Sequence, residues 1–213
     1  MFTGLVKEKG RLLRSSPNPS GVELEIACSK ILPDMAVDDS VAVNGVCLTV
    51  TKILSTSFIA QAVSTTLEKT LINSLRPNEE VNLEPALRLG DKMGGHTVTG
   101  HVNTIGTIRS IVPRGEGVFM WVSLPREFTK YLIKEGSIAV DGISLTMAET
   151  DGEGFALSLI PHTMTKTNLA TKRAGDRVNI EVDVLAKYVE RLLESHLTST
   201  GKMNASWLKE KGF

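Results

Sequence analysis

The sequence predicts an all-β protein: two homologous β-barrels in tandem, followed by a C-terminal α-helix. Three observations predict it, namely an internal repeat, strand-like patterning inside each repeat, and one amphipathic stretch after the second. Ser40 to Ala86 aligns without a gap on Ser137 to Asp183, a shift of 97 residues, and fourteen of those 47 positions are identical. Average composition would give roughly three matches, so the halves are copies of one unit. The densest stretch pairs Ser40 to Thr49 with Ser137 to Thr146, each reading as strand, turn and strand. The openings match as well, with a shift of 96: Thr3, Gly4, Leu5, Val6 and Gly10 correspond to Thr99, Gly100, His101, Val102 and Gly106.

Within each repeat the segments are short and rich in Val, Ile, Thr and Leu. Many alternate, as in Val22 to Ile26 and Val118 to Leu124, the period of a strand with one buried face. Several such strands separated by Gly, Pro, Asn and Asp suggest a small closed barrel, which removes exposed sheet edges. Short helices are expected at Ser29 to Leu32, just before Pro33, and at its counterpart Glu127 to Ile133. A second pair is expected at Leu67 to Ser74 and Met164 to Thr171. The domains expected are 1–92, 93–184 and 185–213, with Met93, Gly94 and Gly95 as a hinge between the barrels.

In the last segment Leu185, Val189 and Leu192, with Tyr188 and Leu193 beside them, form an apolar stripe at helical spacing. Lys187, Glu190, Arg191 and Glu194 fall largely elsewhere. Such a stripe needs a covering surface, either its own barrel or copies of itself. The tail from Thr198 to Phe213 is polar, with Trp207 and Leu208 as its apolar anchor, and is expected to be mobile.

Composition narrows the function classes. A chain of 213 residues with 41% hydrophobic and 23% charged content can bury a real core. Twenty-four basic residues balance twenty-four acidic ones, so no global field draws it to nucleic acid or an anionic membrane. No apolar run reaches the roughly eighteen residues of a membrane span. Cys28 and Cys47 form neither metal-type spacing nor a disulfide framework, and Met1 to Gly4 opens on strand-like sequence without a secretory leader; a cytoplasmic location is expected. A small-molecule partner fits best.

Where the repeat breaks, the two halves can act differently. Cys47 faces Ser144, Asn44 faces Asp141, Leu5 faces His101, Ser64 faces Pro161 and Thr65 faces His162. His96 and His101 flank a short polar stretch and can carry protons near neutral pH, or can satisfy backbone groups at the domain junction. Their spacing, with no companion Cys or carboxylate cluster, argues against zinc. Cys47 is either a small buried apolar group or, as Ser144 suggests, part of a polar wall. There is no nucleophile elbow, Walker loop or complete dinucleotide fingerprint.

Four segments resemble the riboflavin synthase family: Met1 to Val6, Val43 to Val50, Met93 to Val102 and Ile138 to Thr146. The resemblance covers about residues 1 to 195. It implies two six-stranded Greek-key barrels and a reaction in which one 6,7-dimethyl-8-ribityllumazine gives a four-carbon unit to another. The products are riboflavin and 5-amino-6-ribitylaminouracil, and no cofactor or metal takes part. It further implies a homotrimer joined through the C-terminal helices, with each active site between the N-terminal barrel of one subunit and the C-terminal barrel of another.

Carried over position by position, the resemblance assigns proton transfer to His101, with Ser40 and Cys47 supporting nucleophile addition or proton relay. Substrate contacts fall at Gly4, Val6, Thr49 and Thr66, expected on the first barrel. On the second they are expected at Gly100, Val102, Ser144, Thr146, Ile160 and Thr163, with Asp183 nearby. Where the family often has Lys directly before Gly, this chain has Glu135 before Gly136, so no Lys contact is carried over. The alternative is a non-catalytic lumazine or flavin carrier on the same doubled barrel; such proteins depart from the junction motif in which this chain keeps His96 and His101.

Overall fold

A computed structural model describes the backbone of residues 1–200 and the side chains of residues 1–194. The first repeat forms β1 (Glu8–Asn18), β2 (Gly21–Ala27), β3 (Ser40–Val43), β4 (Val46–Ile53), β5 (Ser57–Val63), a short α1 (Ser64–Lys69) and β6 (Glu80–Pro85). The second repeats the order with β7 (Thr104–Arg114), β8 (Gly117–Ser123), β9 (Ser137–Val140), β10 (Ile143–Thr150), β11 (Gly154–Leu159), α2 (Pro161–Lys166) and β12 (Arg177–Val182). All pairings are antiparallel. The strands close into a barrel in the order β1-β2-β5-β4-β3-β6 and, equivalently, β7-β8-β11-β10-β9-β12.

Strand alternation builds each core. Leu24 and Ile26 of β2, Val41 and Val43 of β3, and Phe58 and Ala60 of β5 are fully buried, and Met120, Val122, Ile138, Val140 and Phe155 take the same places in the second barrel. The bulges also match: the register shifts between Leu12 and Arg14 and between Val50 and Lys52, then between Ile108 and Ser110 and between Met147 and Glu149. Each bulge bends its strand as closure of a small barrel requires. The β3–β4 and β9–β10 hairpins turn at Asn44-Gly45 and Asp141-Gly142, both with φ positive at each residue (45° and 77°, 45° and 78°), a pattern that follows the twist of the flanking strands.

The short helices differ from expectation. Ser29 to Ile31 lie outside any helix, their backbone N–H groups donating instead to the Glu8 carboxylate, and only a 3-10 turn at Leu32–Asp34 follows. The counterpart is a 3-10 turn at Arg126–Tyr131. The Leu67 to Ser74 and Met164 to Thr171 regions each split into a short α-helix and a 3-10 turn, because Thr70 and Thr167 adopt extended backbone.

The barrels meet through a pseudo-symmetric seam. Gly45 and Gly142 approach so closely that a Cβ on either would lie 2.6 Å from the other's backbone nitrogen. The Asn82 amide donates to the Asp141 carbonyl at 2.9 Å, and the Asn179 amide donates to the Asn44 carbonyl at 2.9 Å. Phe2, Val98, Ala42 and Ala139 form a small apolar cluster beside them. The symmetry fails at Asp141, which is fully buried, accepts from Asn168 and Asn179, and lies 3.5 Å from the Lys172 ammonium.

After Asp183 a separate unit begins with α3 (Val184–Thr200). Its Leu185, Tyr188, Val189, Leu192 and Leu193 are all exposed, so the expected stripe is present. Beyond Thr200 the expected tail lies outside the described residues.

Candidate functional site

Two equivalent patches lie on the outer barrel faces. On β3 and β4 the register pairs Ser40 with Thr49 and Ala42 with Cys47. The inward residues Val41, Val43, Leu48 and Val50 point to the core, so Ser40, Cys47 and Thr49 share the outer face. Gln61 joins them, paired with Thr49 across to β5. Ser40 sits one pleat from Cys47, about 7 Å along the strand, and also lines a cavity of about 470 Å³ with Thr3, Lys7, Asp39 and Glu84. The second barrel repeats the pattern with Ser137, Ala139, Ser144 and Thr146.

What covers each patch departs from the sequence expectation. The opening segment of each repeat crosses to the other barrel. Phe2 and Val98 form an antiparallel bridge, with N···O distances of 2.7 and 3.1 Å. The Ser144 N–H then donates to the Gly4 carbonyl at 2.8 Å, and the Cys47 N–H donates to the Gly100 carbonyl at 2.9 Å. Val6 packs on the second core and Val102 is buried in the first. Gly4 and Val6 therefore belong with Ser144 and Thr146, while Gly100, His101 and Val102 belong with Cys47 and Thr49. The expected grouping, Gly4 and Val6 on the first barrel and Gly100 and Val102 on the second, is corrected. Alignment shows which residues are equivalent, not which surface a crossing segment covers.

Two glutamates hold these crossings. Glu84 accepts from the Thr3 N–H and hydroxyl at 2.7 Å each and from the Gly4 N–H at 2.9 Å. Glu181 accepts from Thr99 and Gly100 at the same distances. Burial pushes the Glu84 carboxyl up, and these bonds offset part of that rise. Gly4 (φ +76°) and Gly100 (φ +80°) lie where an L side chain is strained, and an added Cβ would sit 2.5 Å from the Cβ of Ser144 and Cys47 respectively.

The remaining expected residues extend the patches. Thr66 and Thr163 occupy matching positions in α1 and α2, each accepting a threonine hydroxyl at its backbone carbonyl, at 2.8 and 2.7 Å. Ile160, just before α2, is 60% exposed, and its counterpart Val63 is 49% exposed. His101 is exposed beside Gly100. Asp183 ends the second repeat near His96 and favours that ring's protonated form.

His96, offered by the sequence as a proton carrier or a partner of backbone groups, received no role from the family resemblance. Its Nδ1 lies 2.7 Å from the Ser144 hydroxyl, and its backbone N–H donates to the Thr3 carbonyl. The preceding Gly95 admits this approach, since a Cβ there would stand 2.0 Å from the Thr3 oxygen and 2.9 Å from Ser144. The Gly-Gly pair before His96 was the available signal. A separate groove of about 660 Å³ on the barrel seam contains none of these residues; within it Lys172 lies 3.5 Å from Asp141, and the Arg76 backbone N–H donates to the Glu79 carboxylate.

Fold and patches together define a tandem pair of lumazine-binding domains: the lumazine binding domain family matches residues 3–86 and 99–183. A riboflavin synthase of Actinobacillus pleuropneumoniae is 40% identical over the whole of both chains. One of Mycobacterium bovis is 42% identical over 92% of this chain and 99% of its own, and one of Bacillus subtilis is 37% identical over both full lengths. The chain belongs to the riboflavin synthase family. Crystal structures of LumP complexed with 6,7-dimethyl-8-(1'-D-ribityl) lumazine and with riboflavin superpose with TM-scores of 0.77 and 0.80 at 24% identity. Each covers 85% of this chain and 99% of its own, a likeness of fold.

Proposed function

We propose that the chain converts two molecules of 6,7-dimethyl-8-ribityllumazine into riboflavin and 5-amino-6-ribitylaminouracil, with one lumazine on each type of barrel face. The observation that carries this reading is the doubled patch: Cys47 and Thr49 under Gly100 on one barrel, Ser144 and Thr146 under Gly4 on the other. Donor and acceptor are the same compound, so two similar faces suit the reaction. Much of the barrier is met by holding the two rings in contact.

The substrate's C7 methyl is already acidic through delocalisation into its ring, and no cofactor is called for. His101, exposed beside Gly100, serves as the proton carrier. Ser40 and Cys47, on the outer face of the first barrel, support nucleophile addition at C7 or relay a proton. Thr49, Thr66, Thr146, Thr163 and Ser144 offer hydroxyls to the ribityl chain, while Gly4 and Gly100 let backbone approach the pyrimidine edge. Val6, Val102 and Ile160 supply apolar contact and Asp183 orients a partner. The chemistry is a four-carbon group transfer.

The working form in this reading is a cytoplasmic homotrimer in which the first-barrel face of one subunit meets the second-barrel face of another. The exposed apolar stripe of α3 supports helix-to-helix assembly.

Mixing the protein with the lumazine, without added metal or cofactor, tests the reading by the absorbance of riboflavin. Turnover should consume two substrates per riboflavin and fall about 10²- to 10⁴-fold in His101→Ala, the usual contribution of a general acid–base. Tight binding without riboflavin would make the chain a carrier instead.

A further inference from the structure

The two faces carry different imidazoles. His101 stands in the segment over the first face, where the second has Leu5 at the equivalent place, yet the second face is not without a histidine: His96 reaches it from ahead of the matched opening, 2.7 Å from Ser144. The other ring nitrogen of His96, Nε2, is buried and has no hydrogen-bond partner among the described residues. A protonated ring would place an N–H⁺ there with nothing to accept it, so the site favours neutral imidazole. Burial also lowers the ring's pKa, against the opposing pull of Asp183 and Glu181.

We propose that His96 is a positioning residue for the second-barrel face: its Nδ1 hydrogen bond fixes the Ser144 hydroxyl in one orientation for the lumazine bound there. This rests on the proposed function. A serine hydroxyl otherwise rotates among three staggered wells. Bonded to a neutral ring, whichever partner supplies the proton, it keeps its remaining hydrogen-bonding capacity turned to the ligand. The first face offers a thiol, Cys47, in the same place. The pair His96 and Ser144 therefore makes the second face the one with a fixed polar contact, a difference that two identical substrates need if they are to react in different roles.

The test compares kcat, KM and lumazine binding for H96A, H96N, S144A and the double variant H96A/S144A, with folding followed by circular dichroism. H96A should lower kcat about 10²-fold, the scale of a misplaced contact. H96N, whose amide can stand where Nδ1 stood, should restore most of the rate. In the S144A background, H96A should cost nothing further. Independent, multiplying losses from the two substitutions, or wild-type kcat in H96A, would overturn the proposal. If H96A fails to fold, a folded H96N that is as slow as S144A overturns it equally. A wild-type protein that binds lumazine but makes no riboflavin would instead sink the proposed function, and the same non-additivity in binding affinity would then decide the role of His96.

Discussion

Glu84 shows how much one side chain can organise. Its carboxylate gathers three donors from Thr3 and Gly4, in a segment that has left its own barrel to cover the other. Replacing Glu84 with Gln keeps the shape but turns one oxygen into a donor that must face a backbone N–H. The variant should lose about 1–3 kcal/mol of stability, as expected for leaving a buried donor unsatisfied, measured by urea unfolding. His96 gives a pH dependence. Its folded-state pKa lies below the ordinary histidine value, so the folded protein binds its proton less readily than the unfolded chain. The stability tied to the neutral ring is full above the unfolded pKa of about 6.5 and is lost as pH falls toward the lower folded value. Wild type should therefore lose more Tm than H96N between about pH 7.5 and pH 5. Equal losses would show that folding leaves the ring's affinity for its proton unchanged.

At the scale of elements, the crossing segments and the last helix matter most. Gly100 is held at positive φ with its Cα against Cys47, so Gly100→Ala meets both backbone strain and a 2.5 Å contact. The crossing should lift from the first face, and riboflavin formation should fall at least tenfold, with a smaller loss in Gly90→Ala, where positive φ is unaccompanied by any neighbour within 4 Å. Truncation after Asp183 removes the exposed stripe of Leu185, Tyr188, Val189, Leu192 and Leu193. Sedimentation should then show a smaller species with reduced turnover; a truncated chain that kept both its assembly and its activity would assign the stripe another purpose. Of these elements the helix was legible in the sequence, because a stripe at helical spacing is local information. The split of Leu67 to Ser74 was not, since the extended Thr70 that divides it has no signature in the pattern.

Across the whole molecule, the seam joins two copies that have stopped being identical. Asp141 and Lys172 stand where the first repeat has Asn44 and Leu75, which places a carboxylate and an ammonium in a region otherwise held by neutral amides. Burial pushes the Asp141 carboxyl up, and Lys172 offsets only part of that. Asp141→Ala should cost about 3–5 kcal/mol by removing the counter-charge of Lys172, which keeps only the Arg177 carbonyl, and the acceptor of the Asn168 and Asn179 donors. The double substitution D141N/K172L, which gives these two positions the first repeat's residues, should be milder, since a neutral pair avoids the desolvation of two charges, although the new amide must turn one donor toward Asn168 or Asn179. Chemical denaturation separates the two outcomes, and a double variant as unstable as Asp141→Ala would show that the charge itself holds the seam.

Residue order alone carried the doubling, the closed barrels, the strand-turn-strand hairpins and the terminal helix, because each is local or lies in the match between halves. It also marked Cys47, Ser144, His101 and Leu5 as the places where the halves diverge. Packing placed Gly4 and Val6 over the second barrel and Gly100 and Val102 over the first, and brought His96 to Ser144 across 48 residues of chain. These pairings arise from two barrels packing face to face with their openings exchanged. In a tandem repeat, staying on the parent barrel and crossing to its neighbour use the same residues, so only the packing distinguishes them.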